Sequence, residues 1–260
     1  SGVQLYINTH DNEGDTRYYR WEFKETWEHF AEYKSLIEYQ ITRSGITDRY
    51  SVVYRDPIDG RLFDSTMYYC WQEQVSSTLL LGTSAQLSKD EINLPIARIP
   101  SGSAKLNKLY SIKVKQISLT KEAYEFFEVM KKNSESTGSI FDAQPAVLYG
   151  NMYNVNDPNE PVIGYMTICP IQEERIFIKK IEVPDWRYFS NCSFQIFRNN
   201  SDEIRDKVIE SLLPISAVQP PEAPFPGIPR FYAASPECVN CKLNGSPIKP
   251  VFWPDSYVYE

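Results

Sequence analysis

Between Tyr19 and Trp27 the chain sets Tyr19, Trp21, Phe23 and Trp27 at alternate positions, with Arg20, Glu22, Lys24, Thr26 and Glu28 on the opposite parity. A period of two gathers the four rings on one face of a strand and the polar side chains on the other; a helix would scatter them. Rings of that size must be covered, so the chain is committed to a sheet with a real core behind it. Just upstream, Val3, Leu5 and Ile7 alternate with Gln4, Tyr6 and Asn8. With the turn-forming stretch His10–Gly14 between them, the two runs predict a long antiparallel hairpin.

The remaining aromatics fit the same reading. The 260 residues hold 18 Tyr, 13 Phe and 5 Trp but only 11 Gly, the vocabulary of half-buried strands. A second hairpin is expected around a type I′ turn at Asp59-Gly60, joining Arg49–Arg55 to Leu62–Trp71. Leu79–Leu81, Leu109–Ile117, Val162–Cys169 and Arg175–Val183 read as further strands. In Leu109–Ile117, Tyr110, Ile112 and Val114 alternate with Ser111, Lys113 and Lys115, which predicts one solvated face.

One helix interrupts the strands near 120–133. Ala123, Phe126, Phe127 and Met130 form its apolar stripe, and Thr120 is the expected N-cap. Leu119 and Tyr124 are spaced as a hydrophobic staple, and Lys131 and Lys132 complement the C-terminal dipole. A shorter helix is expected after Asn200 or Ser201, burying Ile204, Val208 and Leu212.

Ten of the 18 prolines fall after residue 210, which predicts a tail unable to form a central sheet. Its run Gln219–Pro229 should be extended, with Phe225, Phe231, Tyr232, Phe252 and Trp253 as apolar anchors. The expected organisation is a β-rich domain over 1–210 and a Pro-rich tail over 211–260 packed on it. The fold class that follows is mainly β: an antiparallel β-sandwich or partly open barrel, crossed by one amphipathic helix and wrapped by that tail.

Charge and motifs exclude several functions. A net charge of -7 argues against nucleic-acid binding, which rests on basic side chains neutralising phosphates. No apolar run reaches the roughly 20 residues of a membrane helix. Only His10 and His29 are present, so an imidazole-rich zinc site is excluded, and no nucleophile elbow or phosphate-binding glycine loop appears. No cofactor and no metal is implied. Asp11–Asp15 places Gly14 too early for a calcium loop and reads as a turn. Cys238-x-x-Cys241 is half of a zinc-ribbon signature without its second half, and would need Cys192 or Cys70 to complete it.

Three ligand-binding candidates remain: Glu25, Tyr18 and Tyr68. Glu25 shares the parity of Tyr19, Trp21 and Phe23, so it should be paired or shifted upward in pKa, as a general acid, a ligand contact or half of a buried ion pair. In Tyr18-Tyr19 and Tyr68-Tyr69 the neighbours point to opposite faces. One ring of each pair must lie outside the core or beneath another element, and Tyr18 and Tyr68 could stack on a sugar or peptide or pack under the tail.

Several ordered motifs carry a resemblance: TRYYRWEFKETW (Thr16–Trp27), ISLTKEAYEFF (Ile117–Phe127), GSIFDAQPAVLYGN (Gly138–Asn151), EPVIGYMT (Glu160–Thr167), ERIFI (Glu174–Ile178) and CVNCKLNGSPIKPVFWP (Cys238–Pro254). Together they resemble the Bacteroidota family catalogued as domain of unknown function 4249, from near residue 3 to near residue 254. The resemblance implies an exported lipoprotein whose signal peptide, anchoring cysteine and immunoglobulin-like domain precede this region. That matches a chain opening directly on a strand, whose Ser1-Gly2 is either native or left from expression. It implies lipid anchoring at the outer membrane, on the periplasmic face or the cell surface, beside a TonB-dependent transporter. Catalytic residues are not implied. Cys70, Cys192, Cys238 and Cys241 fall at the family's cysteine positions and Cys169 is extra. An exported location favours disulfides over zinc, with Cys192 bonded to Cys238 or Cys241.

The leading expectation is a non-enzymatic accessory protein that binds substrate, barrel or both during nutrient uptake. The alternatives are a glycan- or peptide-acting hydrolase with paired carboxylates including Glu25, and a structural or adhesion module of the cell surface.

Overall fold

A computed structural model describes residues 2–11, 15–56, 63–135, 150–157, 160–183, 185–218 and 229–255. In chain order the elements are β1 (Gly2–His10), β2 (Tyr18–Phe30), β3 (Ile37–Ser44), β4 (Thr47–Tyr54), α1 (Ser65–Tyr68), β5 (Tyr69–Val75), β6 (Leu80–Thr83), β7 (Glu91–Pro100) and β8 (Leu109–Leu119). Then come α2 (Lys121–Glu135), β9 (Ile171–Lys179), β10 (Phe194–Arg198), α3 (Ser201–Ile209), β11 (Leu213–Ala217), β12 (Arg230–Ala234) and α4 (Pro236–Val239). The fold is mainly β, built of several antiparallel sheets, and none closes into a barrel among the described residues. Two compact units divide it. Unit 1 takes Ser1–Glu25, Gln74–Ser103 and Ser111–Ile178; unit 2 takes Thr26–Glu73, Ala104–Tyr110 and Lys179–Glu260.

In unit 1, β1 pairs with β7 rather than β2, so the expected first hairpin does not form. The alternation in β1 is nevertheless real: Val3, Leu5 and Ile7 are half-buried while Gln4, Tyr6 and Asn8 are less so. β2 pairs instead with β6, Tyr19 opposite Gly82, and also with β5 and β8; β8 pairs with β9. Tyr19, Trp21 and Ile92 form a core cluster, with Ile7, Leu80, Leu94 and Val114 packed on it. The Tyr19 hydroxyl donates to Asp90 at 2.7 Å and to the Thr16 carbonyl at 3.0 Å. Burial first, then the Asp90 carboxylate, pushes that phenol far above its ordinary value. The Ser84 hydroxyl also donates to Asp90, so this buried acid is hydrogen-bonded on both oxygens.

Helix α2 follows its sequence signals. Thr120 accepts from the Ala123 amide at 3.2 Å, and Ala123 and Phe126 are buried. Leu119 and Tyr124 share one cluster, as a staple requires. Lys131 and Lys132 are engaged in i,i+4 ion pairs with Glu135 and Glu128. Two expectations differ. Val162–Cys169 joins no ladder; the Asn151 side chain bonds both the amide and the carbonyl of Met166, taking a strand partner's place. In β8 only the second half has a partly solvated face, with Lys113 and Lys115 reaching Glu173, whereas Ser111 is fully buried.

In unit 2, β4 pairs with β3 through a two-residue turn, Gly45-Ile46, with Gly45 at φ 64°. The expected partner of Arg49–Arg55 therefore gives way to a strand on its other side, and the Asp59-Gly60 turn lies outside the described residues. The tail also departs from expectation. β12 is the middle strand of a three-stranded sheet, order β10-β12-β11. Its five residues contain no proline: Pro229 and Pro236 flank them, and Pro214 sits in β11, an edge strand that tolerates it. The Gln219–Pro229 run with Phe225 lies outside the described residues up to 228, as does most of the Gly138–Asn151 motif. Helix α3 is capped by Asn200, which accepts from the Glu203 amide at 2.9 Å, and Ile204 is buried against Ile37, Phe197 and Phe231.

His29, on β2 within unit 2, has a buried Nε2 with no hydrogen-bond partner among the described residues. Burial holds its imidazole below the ordinary value of 6.5. As pH falls below 6.5 the unfolded chain takes up a proton that the folded chain refuses, so stability falls from there downward; above it the residue contributes no slope. Urea unfolding at pH 7.5 and 5.5 should show the loss, and His29→Gln should reduce it. An unchanged slope in that variant would remove His29 as the source.

Candidate functional site

Within unit 2, two clefts meet at Tyr69. One, of about 430 Å³, is lined by Glu28, Ser65, Thr66, Tyr69, Trp71, Lys249, Trp253 and Asp255 among others; the second, of about 370 Å³, by Phe30, Glu32, Tyr68, Tyr69, Lys108 and Tyr188. Local sequence builds this place. Asp64 caps α1, its carboxylate accepting from the Thr66 amide at 2.8 Å and the Thr66 hydroxyl at 2.7 Å. Burial alone would raise that carboxyl, but the Thr66 bonds, with Lys242 and Arg55, outweigh it and hold it below its ordinary value. The short helix then delivers Tyr68 and Tyr69 side by side at the start of β5.

Behind them lies the Cys70–Cys241 disulfide, whose residues are buried with Ala31 while Tyr68 packs on the cluster. The tail is fastened to β5 by a reciprocal pair of bonds between Trp71 and Ser246, at 2.8 and 2.9 Å. Gly245 is needed there, since a Cβ would stand 2.8 Å from the Trp71 carbonyl. The tail thereby brings Lys249, Trp253 and Asp255 to the larger cleft. Trp253 is 4% exposed, and its indole N–H donates to Glu28 at 3.1 Å.

The rings interlock edge to face. Tyr68 and Tyr69 lie 4.8 Å apart, Phe30 and Tyr69 5.2 Å, and Phe63 and Tyr68 5.4 Å. Lys34 stands over Phe63 and Tyr68, and Lys108 over Phe30. Burial, then Tyr69 and Glu32, raises the Tyr68 phenol. A wall of this kind offers flat apolar faces beside hydroxyl, ammonium and carboxylate groups. That is the chemistry for holding the C–H faces of a sugar or the side chains of a peptide while polar tips fix its orientation.

The sequence candidates divide. Tyr68 is at the site. Tyr18 is not: its ring lies 5.2 Å from Tyr124 of α2, beneath another element of unit 1. Glu25 is buried, engaged in interactions of its own, and lines neither cleft. The polar parity of β2 does not stay solvated as expected, because Thr26 and Glu28 are buried along with Glu25 and Trp27. Both faces are covered there, which is how Glu28 comes to serve a cleft. Sequence reading missed Trp71 and Lys249; the signal for them was proximity to Cys70 and to the anchor Trp253.

Cys192 is bonded to Cys238, and Cys70 to Cys241; Cys169 is free. The Cys238-x-x-Cys241 pair is thus split between two bridges. No group of three His, Cys, Asp or Glu among the described residues is placed to hold a metal ion. No helix among them is long and apolar enough to cross a membrane.

No curated protein and no solved structure is similar enough to match this chain. A family model does match, over residues 1–175, that is unit 1 up to β9 together with the α1–β5 wall of the clefts but short of the tail. The chain belongs to the family described as domain of unknown function DUF4249.

Proposed function

We propose that this protein is a non-enzymatic accessory component at the outer membrane, lipid-anchored in its full-length form. It binds a glycan or peptide at the paired clefts of unit 2 and works with a TonB-dependent transporter in nutrient uptake. The observation that carries the reading is the aromatic wall shared through Tyr69, in which ring faces and polar tips converge on two adjoining cavities. Two disulfides, Cys70–Cys241 buried and Cys192–Cys238 partly so, support an oxidising compartment, where such bonds persist. The transporter partnership rests on the family resemblance.

A mild-detergent pull-down of the full-length protein from its native membrane, followed by mass spectrometry, tests the partnership. A stoichiometric β-barrel transporter is expected, and a protein that arrives alone would sink it. Calorimetry against oligosaccharide and peptide panels tests the cleft. Tyr69→Ala should weaken whichever ligand binds by about tenfold or more, as loss of a central aromatic contact does. Unchanged affinity would place the ligand elsewhere.

A further inference from the structure

We propose that unit 1 binds an extended, uncharged polypeptide segment, which adds as a strand to the outer edge of β1. Two prolines fix which backbone groups are on offer there. Pro95 lies opposite Tyr6 and Pro100 opposite Gly2. Proline has no N–H to give, so each of these pairs is a non-hydrogen-bonded one, with the proline nitrogen turned away from β1. The two prolines differ in parity, and the register shift between Leu5 and Tyr6, which passes over Ile96, brings both into that phase. By alternation, Gln4, Tyr6 and Asn8 then direct their N–H and C=O groups away from β7. Among the described residues β7 is the only strand paired with β1, and none of these outward groups has a backbone partner.

The two edges of this small sheet are treated differently. Prolines blunt the outer edge of β7, a guard against unwanted pairing. β1 runs for nine residues with no proline and no Lys, Arg, Asp or Glu, so its edge is open. A cleft of about 710 Å³ follows that edge. Leu5, Tyr6, Ile7, Asn8 and Thr9 all line it, and five consecutive residues, pointing alternately to opposite faces, meet one cleft along the strand's edge. Gln172, Glu173, Glu174 and Ile176 of β9 form the far bank. The cleft thus suits one added strand rather than the β1–β7 pair of a second copy. A polypeptide backbone is the ligand that answers a row of alternating donors and acceptors. The walls set its side chains. Val114 and Ile176 favour β-branched residues at alternate positions. Glu173 is met by Lys113 at 2.6 Å and Lys115 at 3.9 Å, with Arg175 beside it. With Glu174 added, neither sign of charge prevails, and a neutral segment fits best.

The probe is a capped, uncharged heptapeptide of alternating Val and Thr, titrated by calorimetry against the whole chain. Saturable one-to-one binding is expected, with little change in affinity as salt is raised. N-methylation of the peptide reads the geometry. An added strand turns the N–H groups of every second residue towards β1. Methyl groups on that alternate set should weaken binding by about tenfold or more, and methyl groups on the other set should not. In the protein, Asn8→Pro removes one outward N–H, as Pro95 and Pro100 do on β7 with the sheet intact, and should also weaken binding by about tenfold. Asn8→Ala changes only the side chain and should bind as the wild type does. If Asn8→Pro does not fold, the two methylated peptides still decide the matter. No saturable binding, equal losses from both methylated sets, or a folded Asn8→Pro that binds as before would each overturn the proposal. So would a dimer of the free chain that Asn8→Pro dissociates, since a second copy would then hold the edge. None of these outcomes bears on the unit 2 clefts.

Discussion

Replacing Cys70 and Cys241 together by Ala is expected to cost about 5 kcal/mol of stability, and replacing Cys192 and Cys238 about 4 kcal/mol, as chain-entropy upper values. The ordering follows from the lengths of chain closed: 171 residues for the first bridge and 46 for the second, the shorter loop nested in the longer. A cross-link acts chiefly on the unfolded ensemble, and the longer the loop it closes the more freedom it removes. The Cys70–Cys241 bridge has a second role. Its residues are buried with Ala31 beneath Tyr68, so its loss also loosens the wall of the clefts. Urea unfolding of the two double variants measures both costs. A cost below about 1 kcal/mol for the longer loop would mean that its ends stay together without the bond, through the Trp71–Ser246 pairing alone. Ligand binding at Tyr69 should weaken in the Cys70/Cys241 variant more than in the other, because only that bridge lies under the rings.

How far the sequence foretold this structure depends on what each signal can carry. Alternation identifies faces: the inward positions of β1 and the buried rings Tyr19 and Trp21 were legible because a period of two has one structural meaning. It does not name partners. β1 pairs with β7, more than eighty residues on, through a register that shifts between Leu5 and Tyr6 and seats Pro95 opposite Tyr6. Pro95 and Pro100 weaken the strand signal of that run, yet a strand at the edge of a two-stranded sheet can accept them. The hairpin turn at Gly45 carries little signal because Ile46 is a poor turn residue, while Asp59-Gly60 is the stronger turn dipeptide. Helices α2 and α3 were readable to within a few residues, since their caps at Thr120 and Asn200 are local. At the site, Tyr68-Tyr69 stood out as a pair. The groups that complete the cleft arrive from the tail, and only the folded chain reveals that Trp71 and Ser246 bring them there. Spacing likewise left the partner of Cys192 open between two cysteines three positions apart.

Trp21→Ala is expected to remove roughly 3–5 kcal/mol of stability, the range for truncating a fully buried large aromatic. Trp21 is 0% exposed, stacks on Tyr19 with centroids 5.7 Å apart, and donates its indole N–H to Gln116. Its ring also lies directly over Gly82, where an added Cβ would sit 2.8 Å from one indole carbon and 2.9 Å from another. Gly82→Ala should therefore cost about 1–3 kcal/mol by overpacking, although φ at Gly82 is one that any residue adopts. These two changes cannot be additive, because one vacates the space the other needs. In the Trp21→Ala background the Gly82→Ala penalty should fall towards zero, giving a coupling energy of about the size of the penalty itself. Urea unfolding of the wild type, both single variants and the double variant measures this directly. If Gly82→Ala costs the same in either background, the strain resides in the β2–β6 backbone and the indole is not what selects glycine. If the penalty vanishes, the small residue in β6 and the large one in β2 were chosen as a pair. The aromatic alternation that committed the chain to a sheet then also dictates the composition of the strand beside it.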